Sequence, residues 1–170
     1  MKTLHTERLI LDTLRLRDAS FFLRLVNTPS WLRYIGDRNV HTRAEAADYL
    51  TNGPMRHYLD FGFGMRRMVF RHTREVIGIC GLVRRAGLAY PDLGFALLPE
   101  YEGQGLAYEA SRSILAEDAA AMPRVSAISD ADNARSIALL HRLGFREEGT
   151  IQLPDQPDVL QYFLLDSAGR

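Results

Sequence analysis

Cysteine is almost absent. A single Cys80 stands among 170 residues, so no intramolecular disulfide can staple the chain, and a reducing, cytoplasmic setting is the expectation. Net charge is absent as well: 21 Lys and Arg side chains balance 21 Asp and Glu. That balance removes the long-range field that gathers nucleic acid or anionic lipid, so any anionic ligand must be held locally. No apolar run approaches the roughly 20 residues that cross a bilayer, and the opening Met1-Lys2-Thr3-Leu4-His5 lacks the apolar stretch of a signal peptide. No Cys/His cluster has the spacing of a zinc site. Neither nucleic acid, membrane nor metal is therefore expected as a partner. Repeats, low-complexity tracts and charged tails are missing too, which leaves no domain boundary.

What remains is the composition of an ordinary globular protein, 46% hydrophobic and 25% charged. Its length suits one domain, residues 1–170, with a core over about 7–166. Arg8 to Leu11 reads as a strand. Asp18 can cap a following helix whose Ala19, Phe22, Leu23 and Val26 recur at helical spacing. Pro29 breaks that helix ahead of Trp31, Tyr34 and Ile35. Thr42 and Glu45 have capping-box spacing, opening a second helical region that ends near Asn52-Gly53. The pattern then changes. Met68 to Phe70 and Val76 to Val83 flank a His72-Thr73-Arg74-Glu75 turn as strands flank a hairpin, and Asp92 to Leu98 forms the next strand. Helices over Ala107 to Ala121 and Asn133 to Leu143 enclose a strand at Val125 to Ile128, and Gly144 stops the second. Gly149-Thr150-Ile151 and Val159 to Leu165 close the fold, with Pro154-Asp155-Gln156-Pro157 as a hairpin tip. The expected class is α+β: a mixed, mostly antiparallel twisted sheet of about six to seven strands flanked by about four helices.

The segment Leu98-Pro99-Glu100-Tyr101-Glu102-Gly103-Gln104-Gly105-Leu106-Ala107 stops a strand, clears the backbone with small residues and starts a helix. Such a turn aims several free N–H groups at one spot, where the helix dipole also favours an anion. A plain turn is the competing reading of the same glycines. The third glycine and distal acid of a dinucleotide fingerprint are missing, as is the G-K-[ST] of a P-loop. About thirty residues on, Asn133-Ala134-Arg135-Ser136 opens a helix that runs to Leu143-Gly144-Phe145, a capped helix with a glycine stop when taken alone.

Together the two motifs resemble the GNAT N-acetyltransferases. Glu102 to Ala107 is similar to their Q/R-x-x-G-x-G/A loop, and Asn133 to Phe145 to their N-x-x-[SA]-x-x-L-x-x-x-G-F helix. Thr6-Glu7-Arg8-Leu9-Ile10-Leu11, Trp31 to Gly36 and Asp92-Leu93-Gly94-Phe95 are similar to the branch that contains ribosomal-protein N-terminal acetyltransferases. The resemblance implies acetyl-CoA as co-substrate. Its diphosphate would lie on Gly103, Gln104, Gly105, Leu106 and Ala107, its pantetheine arm along the backbone of Phe95, Ala96 and Leu97, and Asn133 would contact that arm. Ser136 is the candidate acid for the leaving thiolate. The chain departs from the pattern at Glu102, where a basic or amide residue is usual, and at Leu140, where many relatives carry a tyrosine.

An alkyl amine is mostly ammonium at neutral pH, so acetyl transfer needs a group that removes a proton, directly or through water. Asp92 opens the strand expected to hold pantetheine and is the candidate base; a solvated strand-end carboxylate is the alternative. Glu75 has the polarity of an exposed turn, and Cys80 that of a buried small hydrophobe. His141 reads as solvated. Trp31 and Tyr34 are candidate acceptor-binding residues, although aromatic spacing of this kind also serves a core. The expected activity is acetyl transfer to a protein N-terminus or a small-molecule amine in a ternary complex. A non-catalytic acyl-CoA-binding module is the alternative, and a homodimer stays open.

Overall fold

The computed structural model describes residues 1–154 and 157–166. Eight strands form one sheet: β1 (Leu4–His5), β2 (Leu9–Thr13), β3 (Met65–Phe70), β4 (Val76–Val83), β5 (Asp92–Leu97), β6 (Arg124–Ser129), β7 (Arg146–Gln152) and β8 (Val159–Asp166). Their order is β1-β2-β3-β4-β5-β6-β8-β7. Every neighbouring pair is antiparallel except β5 and β6. The expected mixed sheet is present, widened by the two-residue β1.

The helices are α1 (Ala19–Val26), α2 (Pro29–Tyr34), α3 (Arg43–Leu50), α4 (Arg56–Phe61), α5 (Leu106–Glu117) and α6 (Ala134–Arg142). The apolar run of β4 is buried on both faces, as a central strand requires. On one face Cys80 and Leu82 pack with Ala110 and Ile114 of α5, Leu140 of α6 and Phe163. On the other, Ile79 and Leu98 pack with Phe22 and Leu25 of α1, Trp31, and Ala46 and Leu50 of α3. Each large side chain removed from water in this way contributes about 1.5–3 kcal/mol.

Three local expectations need correction. Asp18 precedes α1 without capping it. Its buried carboxylate accepts the Arg15 N–H at 2.8 Å and pairs with Arg67 Nη1 at 3.0 Å, so a long-range ion outcompetes the local cap. Pro29 does more than end α1. It is the first residue of α2, where the missing N–H costs nothing, and Thr28 caps that helix. The region after Leu50 does not end at Asn52-Gly53 either. Thr51–Met55 form a π-type turn that carries the chain directly into α4. Pro54 lacks an N–H and its ring would strike the carbonyl four residues back, and the wider turn relieves both problems. The capping box of α3 forms as expected, with Glu45 N–H on Thr42 Oγ1 at 3.2 Å and Thr42 N–H on Glu45 Oε2 at 2.9 Å. Of the tip expected over Pro154 to Pro157, Asp155 and Gln156 lie outside the described residues.

The feature that positions the site is a split in the sheet. The parallel strands β5 and β6 pair only at Asp92 and Ser126, reinforced by Ser126 N–H on the Pro91 carbonyl at 2.8 Å. Beyond that point the strands part. The edge of β5 that faces β6 is left without a strand partner from Leu93 to Leu97, while its other edge stays paired with β4.

Candidate active site

Strand β5 delivers the chain into a 3-10 turn, Pro99–Tyr101, and then into Glu102-Gly103-Gln104-Gly105 ahead of α5. Gly103 and Gly105 have φ of 73° and 76°, left-handed values that a side chain resists. No side chain caps α5. The backbone N–H groups from Gly103 to Tyr108 find no acceptor among the described residues, and the space where a Cβ on Gly103 would stand is open. Unpaired N–H groups at a helix entrance form an anion cradle.

The cradle is braced from behind by the opening strand. Arg8 Nη1 donates to the Gln104 carbonyl at 2.9 Å, and Arg8 Nε pairs with Glu109 of α5 at 2.6 Å. Glu109 also accepts from Thr6 Oγ1 at 2.6 Å. Partial burial pushes the Glu109 carboxyl up, yet the bonds from Thr6 and Arg8 outweigh it and hold the group below its ordinary value. The clamp is not legible in the sequence, because its partners Arg8 and Glu109 lie 101 positions apart.

The gap between β5 and β6 widens into a cleft of about 1370 Å³. Gly103, Gly105, Leu106 and Ala107 line one stretch of it, Phe95, Ala96 and Leu97 another, and Asn133 and Ser136 face it from α6. The structure thus brings the two sequence motifs to one cavity. Gln104 is the exception: it is absent from the lining, and its side chain turns back to the Glu100 carbonyl at 2.9 Å. Asn133 commits its side-chain oxygen to capping α6 at the Ser136 N–H, 3.2 Å away, which leaves its NH₂ free to donate. The Ser136 hydroxyl makes no hydrogen bond among the described residues and is free to serve a ligand.

Asp92 is 1% exposed, which removes the solvated reading. Arg85 grips its Oδ2 through Nε at 3.1 Å and Nη2 at 3.0 Å, the Ile128 backbone N–H also favours the charged carboxylate, and Oδ1 is buried without a well-formed hydrogen bond among the described residues. Burial pushes the carboxyl up to about 6, against the opposing pull of the Arg85 guanidinium. A carboxyl titrating near neutrality beside a cleft is suited to proton transfer. Trp31 and Tyr34 also line the cleft. Trp31 serves the core as well, 6% exposed and edge-on to Phe22 at 6.1 Å. The Arg33 guanidinium lies 5.0 Å from the Tyr34 ring centre. His57 and Phe61 of α4 and the π-type turn complete that end of the lining.

The remaining candidates stand aside. Glu75 is exposed and accepts the Tyr101 hydroxyl at 2.8 Å. Cys80 is buried against Ser111, and desolvation pushes its thiol up to about 12, which disfavours the thiolate. His141 is exposed on α6. Among the described residues no cluster of His, Cys, Asp or Glu is arranged to hold a metal, and no helix is long and apolar enough to cross a membrane.

A family model described as an acetyltransferase (GNAT) domain matches residues 8–146. An "Uncharacterized N-acetyltransferase p20" from Bacillus licheniformis is 28% identical over 159 residues, 89% of this chain and 86% of that one. Among solved structures, a "Putative GnaT-family acetyltransferase" from Bordetella pertussis superposes with a TM-score of 0.79 at 22% identity, covering 96% of this chain and 99% of the other. A "Ribosomal-protein-S5-alanine Acetyltransferase" from Vibrio fischeri superposes with a TM-score of 0.78 at 15% identity, covering 99% and 98%. At these identities the two superpositions speak for the fold.

Proposed function

Because this chain belongs to the GNAT acetyltransferase family, we propose that it moves an acetyl group from acetyl-CoA to a primary amine by direct attack in a ternary complex. The observation that carries the reading is the split sheet: an unpaired β5 edge leads straight to an unpaired N–H cradle, in a single cleft. An extended arm ending in a diphosphate fits that pair of features, the arm along Phe95, Ala96 and Leu97 and the diphosphate on Gly103 to Ala107. Gln104 takes part through its backbone alone. Acetyl-CoA supplies the activated thioester. Asn133 donates its NH₂ to the arm, and the Ser136 hydroxyl gives its proton to the departing sulfur. The backbone N–H of Leu97, which the ladder with β4 leaves turned away from that strand, polarises the thioester carbonyl.

Asp92 is the base in this reading. The ammonium proton reaches its carboxylate directly or through a water in the cleft. Trp31 and Tyr34 bound the acceptor end of the cleft. The fold neighbour from Vibrio fischeri, described as acting on a ribosomal protein, and the resemblance of the opening segment support a protein N-terminus as one acceptor class; a small amine is the other. We take the whole chain to act as a single domain.

The grip of Arg85 on Asp92 favours a second reading, an acyl-CoA-binding module without acceptor chemistry. An acetyl-CoA consumption screen against N-terminal peptides, polyamines, amino acids and aminoglycosides separates the two. The transferase reading expects at least one class to accelerate CoA release. Cofactor binding with no accelerating acceptor selects the module.

A further inference from the structure

The cradle-forming loop opens on a carboxylate, Glu102, at the place where an anion must approach. The structure shows what that carboxylate does. Glu102 Oε2 accepts from Arg135 Nη1 at 2.8 Å, across the cleft from the first turn of α6. Glu102 Oε1 accepts from the Ser30 hydroxyl at 2.8 Å, which pins the carboxylate from α2. Glu102 is partly buried, with a side-chain exposure of 26%, whereas Arg135 is 81% exposed. The anchored partner is the acid, and the arginine reaches toward it. All three residues line the cleft.

A guanidinium has five N–H donors in a planar fork, and one atom of Arg135 is engaged. The other donors are free to meet phosphate oxygens, in the bidentate geometry that guanidinium and phosphate share. We propose that Arg135, oriented by Glu102, is a direct ligand of the CoA diphosphate and supplies from α6 the positive charge that the loop itself lacks. Glu102 is a positioning residue: it costs some repulsion with the diphosphate and offsets this by holding a cation over the cradle. This inference rests on the cofactor reading above and adds to it the source of the charge.

The test is a binding series followed through the fluorescence of Trp31, the chain's single tryptophan, which lines the same cleft. Arg135→Gln is expected to weaken CoA at least tenfold at low salt and to flatten the salt dependence of its affinity. Binding of pantetheine, which has no phosphate, is expected to stay the same. Arg135→Lys is expected to recover part of the loss. The charge-swapped E102R/R135E variant keeps the pair with its cation on the loop, and recovers most of the affinity that R135E loses. The thermal midpoint of R135Q is expected to match the parent's, since the side chain is largely in solvent.

Unchanged CoA affinity in R135Q overturns the proposal, as does an equal loss for CoA and pantetheine, which would make the pair merely structural. Failure of the charge swap to recover affinity overturns the positioning role of Glu102. If the parent itself binds no CoA, the cofactor reading falls and takes this inference with it.

Discussion

Burial raises the Asp92 carboxyl from an ordinary 3.8 to about 6, and the sign of that shift makes two predictions. As a base it must be ionised, so kcat/KM is expected to rise as pH climbs through about 6. In Asp92→Asn that limb should vanish and kcat/KM should drop by roughly 10²-fold near neutrality, with CoA affinity nearly unchanged. The loss should shrink at alkaline pH, where solvent supplies neutral amine; a small, pH-independent loss would assign the proton elsewhere. For stability, a folded-state value above the unfolded one means that Asp92's contribution is complete below about 3.8 and is lost as pH rises through about 6. Ser136→Ala is expected to lower kcat by roughly 10- to 100-fold with CoA affinity intact, read from single-turnover rates. Arg66 is a separate matter. It is 1% exposed and bidentate to Asp118 at 2.8 and 2.7 Å, so Asp118→Ala strands a buried cation. That change should destabilise the fold by about 3–5 kcal/mol, measured by urea unfolding.

Strand β5 owes its placement to its neighbour. A Cβ on Gly78 of β4 would stand 2.5 Å from the Ala96 carbonyl oxygen, so Gly78→Ala must push β5 at the segment assigned to the pantetheine arm. We expect a loss of about 1–3 kcal/mol in stability together with weaker CoA binding; lost stability with unchanged affinity would remove Ala96 from the site. At the loop, Gly105→Glu adds charge and bulk at φ 76°. CoA binding should weaken about tenfold or more in calorimetry, while Gly105→Asn, which tolerates that φ, should be milder. Much of this architecture was legible in the chain, because it is local: the Thr42–Glu45 box, the loop glycines, and the Asn133 cap with its Gly144 stop all encode themselves within a few residues. The helix end expected at Asn52-Gly53 and the cap expected from Asp18 fail for the complementary reason. The π-type turn and the Arg67 pair depend on partners that local rules do not weigh.

Across the whole molecule, the same limit separates the legible from the illegible. The motifs that meet in the cleft are consecutive residues with their own chemistry, so Gly103 to Ala107 and Asn133 to Ser136 could be found from sequence. Arg85 on Asp92, Arg8 on Glu109 and Arg135 on Glu102 could not, since each joins a common surface residue to an acid that only the folded sheet brings near. The depth of Asp92 is likewise a property of the assembled layers. All of the proposed chemistry depends on the split between β5 and β6 being a site for acetyl-CoA. The most direct measurement is the thermal midpoint of the parent protein across an acetyl-CoA titration. A ligand that binds only the native state stabilises it by RT ln(1 + [L]/Kd), about 2.7 kcal/mol at a hundredfold excess over Kd. The midpoint is expected to climb steadily with ligand concentration, and one unmoved at millimolar acetyl-CoA would remove the cofactor site.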